Sequence, residues 1–219
     1  MSNLTSKKMT AKTKYPRIPH LPFSPGSSDD DIIIATTEHF RNREVIVTEK
    51  MDGENTTFYC DYLHARSTMY HFHPSRTRIK KLHSEIAHEI PQNLRICGEN
   101  MYAKHSIFYD NLESYFLVFG IFEGNTCLSW NDTIEYCNML NLKYVPTIYQ
   151  GIWNEEKIKK CFTGKSKHGG EQEGYVVRNT HEFHTDEFKQ NIAKFVRRNH
   201  VKTDNNWIHK KVMTNKLKN

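Results

Sequence analysis

Val45-Ile46-Val47-Thr48-Glu49-Lys50-Met51-Asp52-Gly53-Glu54-Asn55 sets a single lysine between two runs that read as strands. Val45 to Val47 precede it, and Thr56-Thr57-Phe58-Tyr59 follow. Asp52-Gly53 is turn chemistry, because glycine accepts positive φ without a Cβ clash. The reading is therefore a hairpin with Lys50 at its mouth, held by rigid elements. A lysine so held becomes a covalent nucleophile when burial or a neighbouring cation lowers its pKa. A solvated lysine beside a turn is the commoner occurrence, so the weight of this stretch depends on what surrounds it.

Upstream, Asp29-Asp30-Asp31 leads into Ile32-Ile33-Ile34, a strand or short buried segment. Before that, Pro16, Pro19, Pro22 and Pro25 make Tyr15 to Gly26 an extended segment that wraps the surface. Residues 1–14 read as a basic, disordered tail. Downstream, Ile79, Leu82, Ile86 and Ile90 recur at helical spacing, with Arg76, Arg78, Lys80 and Lys81 on the remaining face. That basic face is equally a solvated surface or a track for a phosphate backbone. Leu94 to Cys97 is a short strand ending at Gly98-Glu99-Asn100. Ser114 to Glu123 reads as a strand so nearly continuously apolar, from Tyr115 to Phe122, that both its faces should be covered.

Asp132 and Glu135 read as a capping pair opening the next helix. Lys143 to Tyr149 is a strand pushed to an edge by Pro146. A short helix over residues 154–162, a strand over 173–178 and a last strand over 191–198 complete the domain. Residues 199–219 are a polar, basic extension with Trp207 as its anchor. With 219 residues and no internal linker, a single mixed α+β domain over 15–198 is expected.

The net charge of +6 and isoelectric point of about 9.0 favour a polyanionic partner such as nucleic acid or nucleotide. Five scattered cysteines with no Cys-x-x-Cys pair indicate reduced thiols in a cytosol-like, cytoplasmic compartment. No apolar run reaches membrane-spanning length, so no membrane partner is expected, and no secretory signal is seen. His71-x-His73, with His64 nearby, lacks a second ligand pair for a metal and reads as surface histidines. Gly164-Lys165-Ser166 lacks the upstream glycine of a phosphate-binding loop and reads as a polar loop.

Four further stretches change the standing of Lys50. They are Gly98-Glu99-Asn100, the strand containing Phe119, Glu173-Gly174-Tyr175-Val176-Val177-Arg178, and Ala193-Lys194-Phe195-Val196-Arg197. Together with Lys50-Met51-Asp52-Gly53, and in this order, they resemble the covalent nucleotidyltransferase superfamily and, within it, the ATP-dependent RNA ligases. Tyr102-Ala103-Lys104-His105-Ser106-Ile107, with Tyr109 soon after, is also similar to RNA ligase sequences. The resemblance covers roughly residues 15–210. One such motif is weak evidence, and five in order are specific.

The resemblance implies an adenylation domain of mixed, largely antiparallel sheets flanked by helices; with about twenty residues after the last motif, no C-terminal oligonucleotide-binding barrel of the kind DNA ligases and capping enzymes carry is expected. It implies ATP as substrate, with AMP attached to Lys50, and Mg²⁺ or Mn²⁺ bound through Glu173. Glu99 would accept from the ribose hydroxyls, Phe119 would stack on adenine with Phe122 as its rival, and Lys194 would contact the α-phosphate. Arg66 and Asn55 match the arginine and polar residue near the nucleotide. Glu49 would offer its carbonyl to adenine and leave its side chain uncommitted. The implied reaction joins RNA 5′-phosphate and 3′-hydroxyl ends, with an end-healing kinase or phosphatase as a partner.

The sequence departs from the family in its last motif, which usually carries two lysines two residues apart. Lys194 is flanked at that spacing by Ile192 and Val196, leaving Arg197 or Arg198 as substitutes. The alternatives within the superfamily are a DNA ligase or an mRNA-capping enzyme. The alternative outside catalysis is a nucleic-acid-binding module of the same fold.

Overall fold

The computed structural model describes residues 12–68, 73–199 and 212–218. The central lysine stretch does not form a hairpin. Strand β1 (Glu44–Lys50) lies in a four-stranded sheet, where it pairs antiparallel with β8 (Thr147–Ile152) and β9 (Gly174–Asn179). β11 (Ile192–Val196) pairs with the far side of β9. Strand β2 (Glu54–Phe58) lies in a second, seven-stranded sheet, between β3 (Leu63–Ala65) and β4 (Leu94–Asn100). Met51-Asp52-Gly53 is thus a crossover between sheets. Its glycine is not at positive φ. A Cβ at Gly53 would lie 2.7 Å from the carbonyl oxygen of Asn100 and 2.8 Å from Met101 Sδ, so glycine is needed for close approach.

The second sheet continues from β4 through β5 (Phe116–Glu123) and β6 (Thr126–Cys127) to β10 (Phe183–His184), with β7 (Lys143–Tyr144) parallel to β5. Neither sheet closes into a barrel among the described residues. Lys143 to Tyr149, read as one strand, is divided at Pro146, its halves serving different sheets. Proline cannot continue a ladder on both sides, and here it marks the change of sheet.

Helix α1 (Thr77–Ile86) and helix α2 (Trp130–Met139) cover one face of the large sheet. Their Ile79, Ile86 and Cys137 pack with Phe58, Ile96, Phe116, Val118 and Ile121. Between the sheets lie Ile46, Met51, Met101, Tyr109, Leu117, Trp130 and Val145. On the outer face of the small sheet, Ile158 of α3 (Glu155–Lys159) meets Val45, Val47, Tyr175 and Val177. The expected double covering of the β5 strand follows, since its alternate residues join different clusters. The cap of α2 is Ser129, which accepts from the Asp132 amide at 3.1 Å and donates to its carboxylate at 2.6 Å. The capping partners are therefore Ser129 and Asp132, one turn earlier than the expected Asp132 and Glu135.

The proline-spaced segment is built into the fold and does not merely wrap its surface. The Leu21 amide donates to the Lys194 carbonyl at 2.8 Å, and the Lys194 amide donates to Pro19 at 2.8 Å. These bonds extend the small sheet past β11. Tyr15 is buried, edge-on to Phe119 at a centroid distance of 4.8 Å. Ile33, in the expected strand or buried segment, is largely exposed and makes a single bridge to His20. At the other end, Asn215 is buried. It accepts from the Tyr109 amide at 2.9 Å and donates to Met101 at 2.8 Å, lacing residues 212–218 onto the loop after β4. Trp207, most of the tail 1–14 and His71 lie outside the described residues.

Candidate active site

The sheets meet around a cavity of about 230 Å³. Glu49, Lys50, Asn55, Arg66, Glu99, Phe119 and Lys194 all line it, and Glu173 lies against Lys50. Cross-strand register brings them together. Lys50 is opposite Gly174, which places Glu173 just past the end of β9. The next strand sets Lys194 opposite Val176. In the other sheet Asn55 is directly opposite Glu99, so both side chains leave the same face. Arg66 lies one residue beyond Ala65, which pairs with Thr56. Gly174 also lies under the Phe195 carbonyl, where any Cβ would collide, which accounts for glycine after Glu173.

Phe119 owes its position to a β-bulge. Cys97 pairs with Gly120 and Gly98 with Val118, leaving Phe119 as the unpaired extra residue of β5. A bulge breaks the strict alternation of faces and re-aims a side chain. Phe119 is half-buried between buried neighbours in its strand and lines the cavity. Its rival Phe122 is fully buried in the core and has Arg95 over its ring.

Lys50 Nζ donates to both carboxylate oxygens of Glu173, at 2.8 and 2.7 Å. The Lys50 side chain keeps 28% exposure against 7% for Glu173, so the amine faces the cavity from a buried support. Burial alone would lower the Lys50 pKa, but Glu173, Glu99 and Asp52 outweigh it and hold the ammonium above the ordinary lysine value. Burial, with repulsion from Glu173 and Asp52, pushes Glu99 up to about 8 against the attraction of Lys50. Burial also raises Glu173, despite its contact with Lys50. Three carboxylates thus face one ammonium, an excess of negative charge suited to a further cation.

Among the described residues no group of three or more His, Cys, Asp or Glu side chains is arranged to hold a metal alone. A hard divalent cation here would take Glu173 or Glu99 and complete its shell with water and phosphate oxygens, as Mg²⁺ commonly does.

Asp52 is fixed by the stretch that follows β4. The amides of Ser106 and Ile107 both donate to its Oδ2 at 2.7 Å, and its own amide donates to the Tyr109 hydroxyl at 3.1 Å. The Tyr102 to Tyr109 stretch is therefore the clamp on the crossover. The Glu49 side chain is committed, contrary to expectation: it is buried and accepts from the Lys167 amide at 3.0 Å. Asn55 has a buried Oδ1 without a hydrogen-bond partner, a polar atom on a cavity-lining residue.

Arg197 is no substitute for a second lysine, because it pairs with Glu171 at 2.9 Å and does not line the cavity. Nor does Arg76 join a basic helix face, since it is bonded to the buried Glu54 carboxylate through Nε at 3.0 and 2.9 Å. His64 is buried, and His73 accepts from the Ser75 amide at 3.3 Å to cap a short turn.

Sequence reasoning missed the cavity wall made by Tyr15, Pro16, Arg17, Ile18 and Asp31, and the buried Arg178. Asp31 lies 3.7 Å from Lys194 and 3.5 Å from His20. Burial works to raise its pKa, but hydrogen bonds from Ser28 and the charges of Lys194 and His20 bring it down to about 2. Lys194 is lowered, first by burial, while Asp31 resists and Lys50 assists. An extended, proline-spaced segment must find a strand edge, but its sequence does not say which.

The fold is that of an RNA ligase nucleotidyltransferase domain. The RNA ligase family model matches residues 43–196, and the chain belongs to that family. Three solved structures of Naegleria gruberi RNA ligase share the fold. The complex with PPi is 18% identical, with a TM-score of 0.55 over 88% of this chain and 60% of that one. A variant with ATP and Mn is 17% identical, with a TM-score of 0.53 over 86% and 61%. An apo variant is 18% identical, with a TM-score of 0.52 over 76% and 52%. This chain thus spans between 52% and 61% of the length of those it matches. No curated protein matches it.

Proposed function

We propose that this chain is an ATP-dependent RNA ligase, or the adenylylating core of one, joining RNA 5′-phosphate and 3′-hydroxyl ends. The observation that carries the reading is the two-oxygen contact of Glu173 with Lys50, in a cavity where Asn55, Arg66, Glu99, Phe119 and Lys194 converge. Family membership and the ATP and Mn complex of the Naegleria protein support the choice of nucleotide and metal.

In the first step Lys50 Nζ forms a bond to the α-phosphorus of ATP, and the bond from that phosphorus to the leaving pyrophosphate breaks. The ammonium must first lose a proton, and the nearest acceptor is Glu173 at 2.7 Å. A divalent cation, when held by Glu173 or Glu99, supplies positive charge that lowers the lysine pKa and offsets phosphate charge. Lys194 stabilises negative charge on the α-phosphate oxygens. Phe119 stacks on the base, and Glu99 accepts from the ribose. AMP then passes from Lys50 to an RNA 5′-phosphate, and a 3′-hydroxyl displaces it to form the phosphodiester.

The reading includes a reducing, cytosol-like compartment, supported by five unpaired cysteines, and a kinase or phosphatase that supplies the required ends. Among the described residues no helix is long and apolar enough to cross a membrane.

The test is incubation with α-labelled ATP and Mg²⁺ beside GTP, read on a denaturing gel. Expected is label from ATP alone, absent in Lys50→Ala and discharged by 5′-phosphorylated RNA. Label surviving in Lys50→Ala would remove the nucleophile. No label from either nucleotide, after stripping with pyrophosphate, would favour the binding-module alternative.

A further inference from the structure

Beside the cavity lies a second cleft, of about 600 Å³, lined by Lys14, Tyr15, Pro16, Arg17, Arg66 and Ser67. Tyr15, Pro16, Arg17 and Arg66 line both spaces, so the two adjoin. Their charges differ in kind. The floor around Lys50 holds Asp52, Glu99 and Glu173, whereas the outer lining holds three cations and no carboxylate.

Two of these cations have no ion-pair or hydrogen-bond partner among the described residues, namely Lys14 and Arg66. The third, Arg17, is paired with Asp30 at 3.4 Å, but the two side chains are 46% and 81% exposed. An ion pair so open to water contributes little and is readily exchanged. Arg17 is also close enough to Lys194 for its charge to depress that ammonium, as the charge of Lys50 does. Lys50 and Lys194 line the inner cavity and Arg17 lines both spaces, so these cations extend from the floor to the outer cleft. Consecutive phosphates repel one another and need such a line of positive charge.

We propose that Lys14 and Arg17 form, with Arg66, a binding site for the β- and γ-phosphates of the nucleoside triphosphate, and so for the pyrophosphate it releases. The inference rests on the reading of Lys50 as the nucleophile and deepens it. The N-terminal segment, which the family motifs leave out, completes the site. The α-phosphate lies at Lys50 and Lys194, and the tail runs outward over Arg17. The acidic turn holds the same cations: Asp30 lies on Arg17 and Asp31 on Lys194. Phosphate oxygens would displace both carboxylates.

The experiment is calorimetric titration of the full chain with inorganic pyrophosphate and Mg²⁺, run beside 5′-phosphorylated and 5′-hydroxyl RNA oligonucleotides of one sequence. A lost charge-assisted contact to phosphate weakens binding by about tenfold or more. Arg17→Ala and Lys14→Ala are expected to weaken pyrophosphate binding to that extent, with partial recovery in Arg17→Lys. Both should keep the wild-type preference for the 5′-phosphorylated RNA. Unchanged pyrophosphate binding in both variants, or none in the wild type, overturns the proposal. Any loss of the 5′-phosphate preference overturns it too, by assigning the cleft to the RNA end. Pyrophosphate binding is measured without turnover, so a failure of the ligase reading would appear separately, as missing self-labelling.

Discussion

The four-stranded sheet brings Glu49, Lys50 and Lys194 to the cavity, with Glu173 at the foot of β9, whereas the seven-stranded sheet brings Asn55, Glu99 and Phe119. The first group is knit together by ion pairs: Lys50 to Glu173, and Lys194 to Asp31. The second group is held by strand register and a bulge, and it keeps unused capacity in the unpartnered Oδ1 of Asn55. Under the proposed reading, the groups that would make the bond come from one sheet and those that would recognise base and sugar from the other. The crossover Met51-Asp52-Gly53 joins Lys50 of one sheet to Asn55 of the other over the fewest residues, and the Ser106 and Ile107 amides hold it.

The comparison is broken most completely at Lys50, whose replacement by alanine should abolish self-labelling outright. Glu173→Gln should come next, lowering the labelling rate by roughly 100-fold, the range lost with a positioned proton acceptor. Its pH profile adds a sign. Glu173 helps to hold the Lys50 pKa up, so its removal should move the rising limb of the rate to lower pH. A limb that stayed in place or moved upward would deny Glu173 that influence.

Gly53→Ala tests the seam itself. The new methyl would meet the Asn100 carbonyl and Met101 Sδ, so unfolding in urea should show a loss of roughly 1–3 kcal/mol. Unchanged stability would mean the sheets can part there without cost.

An effect that depends on pH is expected from Glu99→Gln. Glu99 titrates near 8 in the folded chain, above its unfolded value of about 4.5. Between those values the unfolded chain has already released this proton and the folded one has not. Stability therefore falls as pH rises through that window. The neutral variant escapes the penalty, so its melting temperature should match wild type near pH 5 and exceed it near pH 8. Equal melting at both values would show that the carboxylate is not strained by its neighbours.

Much of the site was legible because the chemistry needs particular side chains in a particular order. Lys50, Glu99, Glu173 and Lys194 were found in this way, and all four meet at one place. The hairpin was misread because a strand, a turn dipeptide and another strand look alike whether or not the strands pair. Asp52-Gly53 satisfies turn chemistry, yet Gly53 is required by a neighbour distant in sequence, the Asn100 carbonyl. Arg76 was misread for a similar reason: helical spacing put it on a polar face, but Glu54 from another strand withdraws it.

By itself, then, the sequence determined the mixed α+β class, most strands and helices, and the lysine and acids that gather in the candidate site. Local periodicity and the order of reactive residues are written along the chain. The tertiary structure alone decided that β1 and β2 part into two sheets, that a bulge turns Phe119 into the cavity, and that the N-terminal segment walls it. Each of these depends on contacts between residues far apart in the chain. Those contacts are chosen by the free energy of the whole fold, which no local pattern encodes.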